Sequence, residues 1–310
     1  MAHLPFIQFQ NITKKFGDKI VLNSVNLEIG YGERFGIIGV SGSGKTTLLN
    51  LLIGFLNPTS GHIFYQSHDI VRDKQNIRKT FGFATQDGSF YTKLSVKENL
   101  NYFGKMYGMA QVDINRRSEG LLKLVGLYQS KDVIAENLSK GMQRRLDIAC
   151  ALIHDPKVLI LDEPTEDLDP MLRKDILLLI KKINERGTTI VITSHLLTEI
   201  EAICTKIAIL HNGKIIETGT PDHLKGRYYK NEEIHLQSSP GNYEKLAHRL
   251  RKIDIDSIDI KEHKMIVYTP KAERVLHRIL HVIEQSREHL VDVSVNKPTL
   301  EEVFERLTKR

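Results

Sequence analysis

Apolar positions along the first 225 residues fall into two rhythms: short alternating or continuous runs that read as strands, and three-to-four-residue spacings that read as helices. Phe6 to Gln10 alternates like a half-buried strand, and Gly36 to Ile38 is a short apolar strand entering a glycine-rich turn. Thr46 to Leu56 predicts a helix, closed by Asn57 and Pro58 with Gly61 beyond, and Phe81 to Thr85 predicts another strand. From about 87 to 138 the texture turns helical. Ser95 and Glu98 make a capping box, Leu94, Val96, Leu100, Phe103 and Tyr107 supply an apolar stripe, and a second helix runs around Arg116 to Val125. From Gly141 the strand–helix rhythm resumes. Val158 to Leu161 reads as a fully buried strand, Met171 to Arg186 as a helix stopped at Gly187, and Thr188 to Thr193 as a strand. Lys206 to Leu210 and Lys214 to Glu217 flank the hairpin signal Asn212-Gly213. Strands alternating with helices predict an α/β domain, residues 1–225, with a mostly parallel core sheet and a helical insertion at about 87–155.

After Gly226 the texture shifts to a small second α/β unit, residues 226–310. Strands are expected at Ile234 to Leu236, near Ile258, at Met265 to Tyr268 and at Val291 to Val295. Helices are expected at Tyr243 to Lys252, across Val275, Leu276, Ile279, Leu280 and Ile283, and from a Thr299–Glu302 cap through Leu300, Val303, Phe304 and Leu307.

Composition narrows this picture without redirecting it. The 310 residues are 41% hydrophobic and 26% charged, values of an ordinary globular chain rather than a disordered one. The +6 formal charge is scattered, so contact with anions is permitted, but no concentrated basic stripe points to nucleic acid. Two cysteines, Cys150 and Cys204, make no disulfide framework and no metal-ligand spacing. The start lacks a signal peptide, and the longest apolar run, Ile148 to Ile153, is far short of a membrane span. A cytoplasmic location is therefore expected, unless a partner holds the chain at a membrane.

The strongest chemical signal is the turn Gly39, Val40, Ser41, Gly42, Ser43, Gly44, Lys45, Thr46, Thr47 between a strand and a helix. Its glycines let successive N–H groups and a helix N-terminus face phosphate oxygens, Lys45 reaches the β- and γ-phosphates, and Thr46 offers a hydroxyl to Mg²⁺. Asp162 and Glu163 end the apolar strand Val158 to Leu161, on the side where such strands open onto a nucleotide. Asp162 suits the Mg²⁺ shell, and Glu163 can polarise an attacking water as general base.

Leu138, Ser139, Lys140, Gly141, Met142 and Gln143 precede that strand, Glu163 to Asp169 follow it, and Ser194-His195 ends the next one. In order and spacing, the stretch from about Phe6 to Lys225 resembles the nucleotide-binding cassette of ABC transporters, and this resemblance implies a P-loop ATPase that uses ATP and Mg²⁺. Phe16 corresponds to an aromatic that stacks on adenine, or else is a buried core ring. Gln86 corresponds to a glutamine that contacts Mg²⁺ and the lytic water, and His195 to a histidine that bonds the γ-phosphate. Ser139 and Gly141 match the signature that serves the nucleotide of the opposite cassette, and the resemblance counts Asp169, at the end of the stretch from Glu163, among the nucleotide-binding residues. One P-loop and one signature in the chain imply that a complete site needs a second cassette. Lys140 in place of a glycine, and Glu166-Asp167 in place of small residues, depart from the pattern.

Two features carry less. His277 and His281 stand four apart on a helix with no third ligand, and the cluster Arg249 to Lys252 reads as a solvated helix face. The resemblance implies an energy-coupling subunit bound to a separate transmembrane permease, on the cytoplasmic face of the membrane. Val295 to Phe304 is similar to the end of ABC-2 type cassettes, mostly exporters. The alternative is a non-transport cassette ATPase of nucleic-acid maintenance, translation or iron–sulfur assembly, but sustained heptads and a second cassette are missing.

Overall fold

The alternation that begins at Phe6 continues, in a computed structural model of the chain, as strand β1 (Ile7–Phe16). The structure describes residues 5–228, 232–250, 255–261, 264–286, 288–296 and 299–308. Arg251 and Lys252 of the basic cluster, and Lys297 and Pro298 of the C-terminal motif, lie outside them. After β1 come β2 (Lys19–Ile29), β3 (Arg34–Ile38), α1 (Lys45–Leu52), β4 (Ser60–Tyr65), β5 (His68–Asp69), α2 (Lys74–Thr80) and β6 (Phe81–Ala84). Helices α3 (Val96–Met106), α4 (Gln111–Val125) and α5 (Lys140–Leu152) make the insertion. The chain returns through β7 (Val158–Asp162), α6 (Pro170–Asn184), β8 (Thr189–Ser194), α7 (Leu197–Ile203), β9 (Lys206–His211), β10 (Lys214–Gly219) and α8 (Pro221–Tyr228).

The core sheet runs β10-β9-β3-β8-β7-β6. Every pairing in it is parallel except the β9–β10 hairpin. A parallel sheet is covered on both faces, which is why β7 and β8 are buried at every position and read as nearly unbroken apolar runs. Phe35, Leu48, Leu52, Ile160 and Val191 join one core, each worth roughly 1.5–3 kcal/mol on burial. Because β3, β6, β7 and β8 run the same way, the segments that leave their C-terminal ends emerge along one edge. That edge is where Gly39, Gln86, Glu163 and His195 stand in the sequence.

A second, antiparallel sheet of order β2-β1-β4-β5 was not legible. The register of β1 against β2 shifts between Phe9 and Ile12, between Ile12 and Lys14 and again before Lys15, and each shift breaks the two-residue phase. The helix expected over Thr46 to Leu56 ends earlier, at Leu52, because Gly54 takes φ +73 and its N–H turns back to the Leu51 carbonyl. The capping box at α3 is present, with Ser95 Oγ accepting the Glu98 N–H and the Glu98 carboxylate accepting the Ser95 N–H.

The chain divides at 221/222, at the first residue of α8, against an expected boundary at 225. The second unit holds β11 (Glu232–Ser239), α9 (Tyr243–Leu250), β12 (Ser257–Lys261), β13 (Lys264–Thr269), α10 (Ala272–Gln285), β14 (His289–Asn296) and α11 (Leu300–Thr308). Its sheet is β12-β13-β11-β14, antiparallel throughout. Ile234, Leu236, Met265 and Val267 pack there against Leu246 and Leu250 of α9 and Val275, Ile279 and Ile283 of α10.

Candidate functional site

The turn between β3 and α1 can exist only with glycine at two places. Gly44, the N-cap of α1, has φ +109, and a Cβ there would meet Leu22 Cδ2 at 2.9 Å. A Cβ on Gly39 would lie 2.4 Å from the Leu210 carbonyl and 2.5 Å from Ser43 Oγ. The turn therefore nests against β9, and the first-turn amides of α1 face outward with no intrahelical acceptor. Ser43 Oγ is buried and makes no hydrogen bond. Like Gly39, Ser43 stands behind the cleft rather than in its lining.

Lys45 is folded back into this turn. It is 8% exposed, its Nζ donates to the Gly39 carbonyl at 2.8 Å, and it stands 3.3 Å from Glu163 Oε1. Glu163 follows the last residue of β7 with φ +47, a backbone conformation that a glutamate adopts only under constraint. The constraint comes from β8: the Glu163 N–H donates to the Thr193 carbonyl and to Thr193 Oγ1, at 3.2 and 3.1 Å. Thr193 Oγ1 in turn donates to Asp162 Oδ1 at 2.5 Å, so one threonine fixes both carboxylates. The other oxygen of Glu163, Oε2, accepts the His195 N–H at 3.1 Å and lies 2.8 Å from His195 Nδ1.

One cleft of about 800 Å³ collects Ser41, Gly42, Gly44, Lys45, Thr46, Thr47, Gln86, Glu163 and His195. Asp162 is 3% exposed beneath it. The arrangement holds a cation, a hydroxyl, a buried carboxylate and a base candidate around a phosphate-shaped turn. The donor set of Thr46, Gln86 and Asp162, all oxygen, suits a hard divalent cation such as Mg²⁺. Among the described residues no His/Cys/Asp/Glu cluster could hold a metal by itself, and His277 and His281 belong to no such group.

Other expected site residues lie elsewhere. Val40 is 46% exposed, outside the cleft lining. Phe16 is 49% exposed with the Lys14 ammonium 4.9 Å from its ring, so the core reading of Phe16 is corrected. Ser139 caps α5, its Oγ accepting the Met142 N–H at 3.3 Å. Gly141 is buried, and a Cβ there would meet the Leu172 side chain at 3.0 Å, so within its own chain it serves close packing of α5 on α6. Asp169 caps α6, Oδ1 accepting the N–H groups of Met171 and Leu172 at 3.0 Å. None of the three lines the cleft.

Several lining residues were missed. Lys19, Ile20 and Val21 come from β2, and Asn212 and Gly213 come from the β9–β10 turn. Asn212 and Gly213 had a signal, the hairpin dipeptide, with φ +47 and +71, but its contact with β2, where the Asn23 N–H donates to the Gly213 carbonyl at 2.8 Å, is long-range.

Comparison with known proteins agrees with this geometry. A family model described as ABC transporter matches residues 22–166. The linearmycin resistance ATP-binding protein LnrL of Bacillus subtilis (strain 168) is 33% identical over 98% of both chains. The Nod factor export ATP-binding protein I of Rhizobium sp. (strain N33) is 31% identical over 98% of this chain and 97% of its own. Among solved structures, the ATP-binding cassette MJ0796, a dimeric post-hydrolysis state bound to ADP and Pi, superposes with TM-score 0.62 and 29% identity, over 69% of this chain and 98% of that one.

Proposed function

This chain belongs to the ABC transporter ATP-binding proteins and is an ATPase of that family, and from that premise we propose that it powers an exporter by pairing with a second cassette beneath a separate transmembrane permease. Among the described residues no helix is long and apolar enough to cross a membrane, in keeping with a permease on another chain. Export as the direction draws on the relatives: one is a resistance protein and another an export protein by name.

In this reading, the amides of Gly42 to Thr46 and the Lys45 ammonium bind the β- and γ-phosphates of ATP. Phe16, exposed at the end of β1, stacks on the base. Thr46, Asp162 and Gln86 would hold Mg²⁺, which when bound neutralises charge on the phosphate oxygens. Glu163 takes the proton of the attacking water, and His195 holds Glu163 Oε2 through its N–H and ring. Lys45 exchanges its contact with Glu163 for phosphate, leaving Oε1 open to the water.

The observation that carries the pairing is the separation within one chain. Lys45, Thr46, Glu163 and His195 line the cleft, whereas Ser139 and Gly141 open a different helix and line no part of it. A group supplied in trans is worth roughly 10³–10⁵ in rate in related phosphoryl transfer. ATP turnover per chain should therefore rise with protein concentration as dimers form, and fast turnover by a sample shown to be monomeric would overturn the proposal.

A further inference from the structure

The loop that carries Gln86 is gripped from the signature helix. Arg144 of α5 donates Nη1 to the Thr85 carbonyl at 2.8 Å and Nη2 to the Gln86 carbonyl at 2.7 Å. Asp147, on the same face three residues on, accepts the Ser89 N–H on Oδ1 at 2.7 Å. Between these anchors the Gly88 N–H returns to the Thr85 carbonyl at 3.2 Å with Gly88 at φ +82, which closes residues 85–89 into a compact turn. The grip is buried: the Arg144 side chain is 11% exposed and that of Asp147 1%.

The arrangement is a costly one for mere packing. Arg144 and Asp147 stand 3.8 Å apart, and Arg144 directs its terminal nitrogens to main-chain carbonyls. Asp147 Oδ2 is left buried with no hydrogen-bond partner. A helix that only had to cover β6 would do so with apolar side chains at lower cost, because a buried charge is unfavourable unless its geometry is fully met. Arginine can span two successive carbonyls with its fork, and a lysine cannot. The residues lie outside the nucleotide cleft, yet Gln86 lines it.

We propose that Arg144 and Asp147 are positioning residues that fasten the Gln86 loop to α5, the helix opened by Ser139 and Gly141, and so hold Gln86 in place relative to Thr46 and Glu163. The inference rests on the catalytic part given to Gln86 above. A shift of about 1 Å in a catalytic group costs on the order of 100-fold in rate.

The test compares the full-length protein with Gln86→Ala, Arg144→Met, Arg144→Lys and the double variant Gln86→Ala/Arg144→Met. Steady-state kcat and KM for ATP are read together with hydrogen exchange at the amides of residues 85–89. Arg144→Met should lower kcat by about 10- to 100-fold with KM changed less than about twofold. It should speed exchange at Ser89 and add less than about twofold to the loss already present in Gln86→Ala. Arg144→Lys should fold with wild-type stability yet fail to restore kcat, and it carries the test if Arg144→Met does not fold. If Gln86→Ala is impaired but the Arg144 loss multiplies with it, or KM rises as far as kcat falls, the positioning role is wrong while the part given to Gln86 stands. If Gln86→Ala turns over like wild type, the reading of Gln86 is wrong. Exchange then decides the grip alone, and unchanged exchange at Ser89 in Arg144→Met overturns it.

Discussion

Glu163→Gln replaces the candidate base with a side chain of the same shape, so the φ of +47 at this position is undisturbed and the change is chemical. Glu163 currently takes a cation on one oxygen, Lys45 at 3.3 Å, and the His195 N–H on the other at 3.1 Å. Glutamine can keep one of these as acceptor, and its amide N–H₂ opposes the other. Loss of a general base costs roughly 10²–10⁴ in rate, about 3–5 kcal/mol of barrier. The binding of ATP should hold, since Lys45 is released toward phosphate. Before ATP arrives, Lys45 has lost its carboxylate partner in a site where its side chain is 8% exposed, so the variant should melt earlier than wild type. Saturating ATP should stabilise the variant as it does wild type, a ligand at 100 times its Kd contributing about 2.7 kcal/mol, so the gap between them persists. Phosphate release gives the turnover, equilibrium dialysis the affinity, and size exclusion with ATP the pairing, which should persist because hydrolysis no longer reopens it. Turnover within about twofold of wild type would refute the assignment of Glu163 as base.

Gly44→Ala forces a Cβ 2.9 Å from Leu22 Cδ2 at φ +109, and it should lower Tm and weaken ATP binding, the strain alone costing about 1–2 kcal/mol; thermal melts with and without ATP check it. Burial pushes Asp147 up to about 6, so the native state holds its proton where the unfolded chain, near 3.8, has released it, and this group makes stability fall as pH rises from about 4 to 6. Burial pushes His154 down to about 4 from 6.5, so its stabilisation is present above 6.5 and is lost as pH falls toward 4, opposing Asp147 in the shared window. His154→Phe keeps a ring for Tyr107, whose centroid is 3.6 Å away, and its stability relative to wild type should improve by about 3 kcal/mol between pH 7 and 4 in denaturant titrations; a pH-independent difference would contradict the assignment.

What the sequence revealed, it revealed through local constraint. The phosphate turn needs glycine at Gly39 and Gly44 for reasons internal to a few residues, and Val158 to Leu161 is apolar because both faces of β7 are covered. Ser95 and Glu98 cap one another at a spacing of three. The features that escaped depend on partners far along the chain. The sheet β2-β1-β4-β5 is held by pairings whose register slips, so no single window alternates cleanly. Thr193 positions Asp162 and Glu163 from another strand, and Arg144 reaches Gln86 across 58 residues. Gly141 and Asp169 match family positions, but within one chain they answer to Leu172 and to the first turn of α6, which no local pattern distinguishes from ligand contact.

The two departures from the family pattern look unrelated along the chain and meet in space. Lys140, Glu166 and Asp167 line one cavity of about 160 Å³, together with Arg144, Asp147 and Gln86. Taken singly, each is a liability. A cation at the first position of α5 opposes the positive end of the helix dipole, by about 0.3–1 kcal/mol, and extra carboxylates beside Glu163 raise the negative potential where phosphate must enter. Around the cavity these charges of opposite sign face one space, with Arg144 and Asp147 beside them. Gln86 and Glu166 line both this cavity and the nucleotide cleft, so they form the wall between them. Both departures therefore lie beside the residues that grip Gln86 rather than in the phosphate turn.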